Sequence, residues 1–317
     1  MSEKSNNQGR AYEYVCAMIL VEEIKKVRPV ILEKNSALKA NENAWNAISP
    51  LLKNVMTESA RAAVFTIFDM EPMLLEKGED SVVITLQTDK KGTLGDVRDI
   101  VLSRKDLRWE IGLSIKHNHF AVKHSRLAKS LDFGAKWYNL PCSSTYWAKV
   151  KPIFEYLGEE KRLAKKWEDL PSKENDVYVP LLSAFKNEVL KRYEEMPDLP
   201  KKMVEYLLGE FDFYKVISID TKRVTQIQTY NLHGELNKPS KTRKPKIEVP
   251  VACLPKRIIS MDFKPNSTNT VELYMDGGWQ FNFRIHNASK KVETSLKFDI
   301  QIVGMPTAII SVNCFWH

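Results

Sequence analysis

Gly95-Asp96-Val97-Arg98-Asp99-Ile100-Val101-Leu102, followed after Ser103-Arg104-Lys105-Asp106-Leu107-Arg108 by Trp109-Glu110-Ile111-Gly112-Leu113-Ser114-Ile115-Lys116, is the stretch whose reading decides the fold. Two apolar, β-branched runs flank a charged segment too short for a helix, which is the pattern of a β-hairpin. With the turn near Lys105 and Asp106, the Asp96–Asp99 end of the first strand comes to lie beside the Ser114–Lys116 end of the second. Alternation along the strand puts Glu110, Gly112, Ser114 and Lys116 on one face and Ile111, Leu113 and Ile115 on the other. One face is core; the other gathers carboxylates and a lysine.

That gathering is the donor set of a metal-dependent phosphodiesterase. A carboxylate pair can hold Mg²⁺ through oxygen ligands while the ion keeps waters and a phosphate oxygen. The lysine orients or deprotonates the attacking water and offsets charge on the phosphorane. Asp96 and Asp99 are both candidates for the aspartate, with Asp99 favoured because it directly precedes the apolar Ile100-Val101-Leu102 run. A structural hairpin with a snorkelling lysine is the competing reading.

Outward from the hairpin, the first third of the chain reads helical, with helices expected over about 10–27, 36–52 and 57–68. A strand follows at Val82–Leu86. Beyond the hairpin, Asn118 is placed to cap a helix from about Phe120 to Leu131. Further helices are expected over 144–157, 178–195 and 200–209. From Phe211 onwards short β-type runs take over: 213–219, 223–230, 246–251, 257–264, 270–275, 278–286, 296–303 and 307–313. The change near residue 210 suggests a helical region plus catalytic core over 1–210 and a β-rich, DNA-recognising region over 211–317, unless the sheet runs through both.

The chain has 317 residues, 43% of them hydrophobic, enough for a sizeable core. Lysine plus arginine number 48 against 40 aspartate plus glutamate, a net charge of +8 that favours a polyanionic partner. The cysteines, Cys16, Cys142, Cys253 and Cys314, show no C-x-x-C spacing, which argues against a zinc ribbon or a disulfide scaffold and for thiols in a reducing cytoplasm. The amino-terminal residues are polar, and no run reaches the roughly 18 apolar residues a membrane span requires. A cytoplasmic protein with no membrane association is expected.

Two basic regions supply candidates for nucleic-acid contact. Residues 116–129 contain no acid, and on the expected helix Lys123 and Arg126 share a surface, with Lys129 nearby. Residues 222–257 interleave Arg223, Lys241, Arg243 and Lys244 with Gln226, Gln228 and Asn231, side chains able to reach phosphates or base edges. Arg284, His286 and Asn287 follow an aromatic and polar alternation that reads as a half-buried strand. His117-Asn118-His119 also admits a His-Asn-His nuclease reading, although no second distant His or Asn is identified for it.

Several long blocks resemble the HaeIII-type family of type II restriction endonucleases: Ser5–Glu13, Gly95–Ile100, Trp109–Leu127, Met203–Lys215 and Thr270–Gly304. The resemblance implies a PD-(D/E)XK nuclease, an α/β fold whose mixed β-sheet core is flanked by helices, with a helical N-terminal part and a β-rich C-terminal part. It implies Mg²⁺-dependent cleavage of double-stranded DNA at GGCC to leave 5′-phosphates. It also implies a bacterial cytoplasm, a cognate DNA methyltransferase protecting the same site, and a monomer or homodimer. On that pattern Asp99 or Asp96 is the aspartate, Ser114 stands at the second acidic position and Lys116 is the lysine.

Serine is a weak ligand for a hard cation, so a second carboxylate is expected from elsewhere. Glu110 shares the strand face but lies roughly 13 Å along it from Ser114 at about 3.3 Å per residue. Glu13 in the first helix is the more attractive donor, because related nuclease folds supply a carboxylate from there. The competing classes are a non-catalytic sequence-specific DNA-binding protein and a DNA methyltransferase. The latter is disfavoured by the lack of a glycine-rich cofactor loop or an Asn-Pro-Pro-Tyr-like segment.

Overall fold

A computed structural model describes residues 3–88, 96–120 and 123–316, with the side chains of residues 3–6, 123 and 124 outside that description. Gly95, expected at the head of the hairpin, lies outside the described residues. The chain forms two compact units, each assembled from separated segments. The first comprises Met1–Phe120, Gly209–Cys253 and Thr307–His317, and the second Ala121–Leu208 and Leu254–Pro306. The chain returns to the first unit at Gly209, and residues 211–317 contribute strands to both units.

In the first unit, α1 (Glu3–Ile24) buries Tyr12, Val15, Cys16, Ile19, Leu20 and Ile24, the stripe its helical spacing foretells. The single helix expected over 36–52 is two: α2 (Ser36–Ala47) and α3 (Pro50–Met70). Ser49 and Pro50 explain the break. Ser49 Oγ accepts from Leu52 N at 3.3 Å, and proline fits the first helical position because it has no N–H to leave unpaired.

These helices pack on one face of a seven-stranded mixed sheet, ordered β1-β2-β3-β4-β6-β7-β12 among the described residues. Its strands are β1 (Val30–Leu32), β2 (Val82–Leu86), β3 (Ile100–Arg104), β4 (Trp109–His117), β6 (Phe213–Ile219), β7 (Val224–Tyr230) and β12 (Ser311–Phe315). β1 with β2 and β4 with β6 run parallel, the rest antiparallel. The β3–β4 hairpin pairs Ile100 with Leu113 and Ser103 with Glu110, and turns through Lys105–Leu107 with Arg108 at φ 49°. Ile111, Leu113 and Ile115 join Tyr214 and Val216 in the core under the helices, as the alternation requires.

The second unit has an antiparallel sheet ordered β5-β11-β10-β9-β8: β5 (Lys123–Ala128), β8 (Ile258–Phe263), β9 (Thr270–Met275), β10 (Gln280–His286) and β11 (Ser295–Gly304). Its helices are α4 (Phe133–Tyr138), α5 (Ser144–Arg162), α6 (Val179–Glu195) and α7 (Leu199–Leu208). Trp137 of α4 and Phe185 of α6 meet Phe283 and Phe298 of the sheet, with Phe185 and Phe298 ring centroids 5.0 Å apart, and Phe133 of α4 packs on Phe185.

Three expectations about local structure fail, each for a tertiary reason. The helix expected from Phe120 to Leu131 is strand β5, drawn out by pairing with β11, where buried Leu127 stands opposite buried Leu296. Asn118 does not cap a helix; it adopts φ 52° and its side chain binds Asp220. Residues 246–251 are not a strand, because Lys246 N and Ile247 N are taken by Asp69 O and Val249 N by Asn237 Oδ1. No helix among the described residues is long and apolar enough to cross a membrane.

Candidate active site

Asp99 sits immediately before β3, fixed by its own N–H donating to Leu113 O at 2.7 Å. Its Oδ2 accepts from Ile115 N at 2.6 Å and Lys116 Nζ at 2.9 Å, with Ser114 Oγ farther off at 3.4 Å. The hairpin thus joins the aspartate and the lysine as its alternation requires. Burial alone would pull the Lys116 amine down, but Asp99, helped by Glu13, holds it above its usual value, so it stays an ammonium.

Glu13 of α1 belongs to the same cluster. Asn41 Nδ2 of α2 donates to its Oε2 at 2.7 Å. Burial, and then the charge of Asp99, push the Glu13 carboxyl up to about 8, against the opposing pull of Lys116, Asn41 and Arg10. Two carboxylates crowded in this way repel each other, and a bound cation would relieve them. Among the described residues there is no group of three or more His, Cys, Asp or Glu side chains that could hold a metal, and Glu13 and Asp99 are the two carboxylates of this cluster.

The structure takes Asp96 and Glu110 elsewhere. Arg98 Nε and Nη2 donate to Asp96 Oδ1 and Oδ2 at 2.8 and 2.9 Å, and Arg98 Nη1 donates to Glu110 Oε1 at 2.7 Å. Gln87 Nε2 adds a bond to Asp96 Oδ2 at 2.8 Å. The arginine stem crosses Gly112 so closely that a Cβ there would stand 2.0 Å from Arg98 Cδ, which is why this strand position is a glycine. Asp96 and Glu110 therefore serve Arg98, and Asp99 is the aspartate that meets Lys116.

Around Glu13 and Lys116 the next residues along the chain form a supporting shell. Tyr12 and His117 lie ring to ring at 6.0 Å. His117 Nε2 meets Asp220 Oδ2 at 2.8 Å, and the same oxygen accepts from Asn118 Nδ2 at 3.1 Å. On the other side Tyr12 OH meets Ser59 Oγ at 2.7 Å, Ser59 Oγ meets Thr225 Oγ1 at 2.6 Å, and Trp316 Nε1 donates to Thr225 Oγ1 at 2.9 Å. His117 and Asn118 thus share one aspartate, an arrangement that orders the strand end and lends no support to a His-Asn-His centre.

One lysine escaped the sequence reading. Lys215 of β6 pairs with Ser114 in the parallel register, so the two share a sheet face. It is buried, donates to Phe120 O at 2.8 Å, and is pushed down to about 7 by burial and by the charge of Lys116. The signal was a lysine inside the apolar run Phe213-Tyr214-Lys215-Val216-Ile217.

The nucleic-acid candidates divide between the two units. In the first, Arg223 lies exposed in the β6–β7 turn at φ 49°, and Gln226 Nε2 reaches Asn313 Oδ1 at 3.3 Å. Gln228 is buried and bound to Gln226 and Tyr230. Asn231 is buried too, its amide holding Val249 O and Leu236 N, a structural role. Lys241, Arg243 and Lys244 occupy a loop anchored by Glu76 Oε1, which accepts from Lys241 N at 2.9 Å.

In the second unit Arg284 and Arg126 are exposed on strands, His286 is half-buried, and Lys129 pairs with Glu155 at 2.8 Å. Asn287 is spent on Tyr178 OH and Ser289 O. The three-residue spacing of Lys123 and Arg126 loses its helical meaning on a strand, and the Lys123 side chain lies outside the described residues.

Comparison with known proteins gives a consistent answer. The model of the HaeIII restriction endonuclease family matches residues 9–306. The type II restriction enzyme HaeIII of Haemophilus aegyptius is 50% identical over 318 residues, covering 100% of both chains. No solved structure matches. The chain, with Asp99, Lys116 and Glu13 gathered at one end of its mixed sheet, belongs to the HaeIII restriction endonuclease family and is a site-specific deoxyribonuclease that acts on double-stranded DNA.

Proposed function

We propose that Asp99, Lys116 and Glu13 form a PD-(D/E)XK-type centre that hydrolyses double-stranded DNA at GGCC with Mg²⁺ and leaves 5′-phosphates. The observation that carries this reading is the single oxygen, Asp99 Oδ2, that accepts from both Lys116 Nζ and Ile115 N, with a second carboxylate, Glu13, close enough to feel its charge. Ser114 stands where the pattern has an acid, and Glu13 supplies the missing carboxylate from α1.

The donor chemistry fits Mg²⁺, which needs few protein oxygens and retains waters. When bound by Glu13 and Asp99, the ion lowers the pKa of water and neutralises phosphoryl oxygens. The protein's own groups do the rest. Lys116, held as an ammonium, cannot take a proton from water; it donates to the water or to a phosphoryl oxygen and offsets charge developing at phosphorus. Ile115 N fixes the Asp99 carboxylate, and Asn41 fixes that of Glu13. The attacking water gives up a proton to solvent, its oxygen bonds to phosphorus, the bond to the 3′-oxygen breaks, and that oxygen leaves with a proton from solvent as a 3′-hydroxyl.

In this reading Arg223, Lys241, Arg243 and Lys244 of the first unit contact phosphates, as do Arg126, Arg284 and His286 of the second. A cognate methyltransferase, a bacterial cytoplasm and a monomer or homodimer complete the reading. Digestion of a plasmid with Mg²⁺, with EDTA, and with Asp99→Asn tests it. Discrete fragments with GGCC-derived ends and 5′-phosphates in the first condition, and none in the others, are expected. Undiminished cleavage by Asp99→Asn would overturn the assignment of the centre.

A further inference from the structure

The second unit's sheet buries one face and leaves the other polar. Phe283, Ile285, Phe298 and Ile300 point into the aromatic core, so the intervening residues line the opposite face. On that face three basic residues fall into one cross-strand row. Arg126 of β5 stands opposite Lys297 of β11, and Lys297 opposite His286 of β10. Arg284 lies two residues before His286 on the same face, opposite Asp299.

Like charges directly opposite one another on a sheet destabilise it, and the row itself holds no carboxylate. Adjacent strands are about 4.8 Å apart, so the row spans roughly 10 Å across the sheet. Arg126 is held on this face by Ser295 Oγ, which accepts from its Nη1 at 2.8 Å. His286 Nδ1 of this face is closed from solvent with no hydrogen-bond partner, an unmet bond that a phosphate oxygen would satisfy.

We propose that this face is a DNA-docking surface, on which Arg126, Lys297 and His286 bind consecutive backbone phosphates of the double helix. The charge pattern selects this occupant, because the adjacent cations Arg126 and Lys297, with no acid between them and the His286 imidazole, held neutral by burial, beside them, complement successive phosphates and not a mixed protein surface. The proposal rests on double-stranded DNA being the substrate and is independent of which carboxylates catalyse cleavage. Lys297 was not among the sequence candidates; the register alone places it between Arg126 and His286.

The test is equilibrium binding in EDTA, which separates docking from cleavage. Short duplexes with and without GGCC are titrated at several salt concentrations against the wild-type protein and Arg126→Gln/Lys297→Gln. The double variant is expected to lose about tenfold or more in affinity for both duplexes at 0.1 M salt. Its salt slope should fall by about 2, since each phosphate contact contributes about 0.9. Lys297→Arg, which keeps the charge, is expected to bind as the wild type does and guards against a folding defect. Unchanged affinity and slope in the double variant overturns the proposal, and so does a loss confined to the GGCC duplex, which would assign the row to base reading. Asp99→Asn, run in parallel, is expected to bind normally; if it still cuts, the catalytic assignment fails while the docking result stands.

Discussion

Lys116 Nζ donates to Asp99 Oδ2 at 2.9 Å, and Ile115 N donates to the same oxygen at 2.6 Å, so lysine and aspartate are positioned by one another and by the strand between them. Replacing the lysine removes a charge that acts at the reacting phosphorus. Lys116→Met is expected to slow cleavage by about 10²- to 10³-fold, the usual cost of losing one preorganised electrostatic contact. Cognate-duplex affinity should change by less than about threefold, because Lys116 is one cation among many. Single-turnover kinetics beside equilibrium binding check this; parallel losses in both would mean that Lys116 serves binding.

Glu13 carries a cost that should be visible in stability. Its carboxyl is pushed up to about 8, so the folded chain holds a proton that the unfolded chain releases near pH 4.5. Stability from this group is full below pH 4.5 and is lost as pH rises toward 8. Glu13→Gln removes the dependence, and without metal its Tm should exceed that of the wild type by about 2–5 °C at pH 8.5 while matching it near pH 4.5. Mg²⁺ should raise the wild-type Tm more than the variant's. Equal Tm values at both pH extremes would refute the crowding of Glu13 and Asp99.

Asp96 offers the contrast. Arg98 grips both its oxygens, so Asp96→Asn should retain cleavage within about tenfold of the wild type while Asp99→Asn loses it. Arg98 and Asp96 are largely buried, and leaving the guanidinium short of its partner should cost about 1–3 kcal/mol in stability. Denaturant unfolding together with a cleavage assay separates the two effects. Loss of cleavage in Asp96→Asn without loss of stability would return Asp96 to the centre.

Lys215 is expected to respond to pH in the opposite sense to Glu13. Its amine is pushed down to about 7, so between about 7 and 10.5 the unfolded chain binds the extra proton and wild-type stability rises with pH. Lys215→Met loses the bond to Phe120 O but also a buried charge. Relative to the wild type, the variant should therefore fare best at or below pH 7 and progressively worse toward pH 10. Thermal melts at pH 7 and 9.5 measure the difference, and a pH-independent difference would contradict it.

The hairpin was legible because its information is local: period-two alternation, a short charged turn, and chemistry at one end of two adjacent strands. Glu13 was reachable only through family resemblance, since the helix carrying it lies some ninety residues before the strands it meets. β5 was misread because its pairing partner β11 lies far downstream, and pairing overrode the local signal. Asn231 and Asn287 looked like recognition residues because an amide that reads a base and one that braces a loop are identical in sequence. The two units are interleaved along the chain, which passes between them after Phe120, Leu208, Cys253 and Pro306, so no single boundary in the sequence marks them.

The first unit takes its earliest helix from residues 3–24 and its last strand from residues 311–315, and Trp316 reaches back through Thr225 and Ser59 to Tyr12, the neighbour of Glu13. Strand β12 also covers the edge of β7. The wall behind Glu13 therefore leans on a side chain from the far side of the sheet, and the setting of Tyr12 depends on an indole that touches none of the carboxylates.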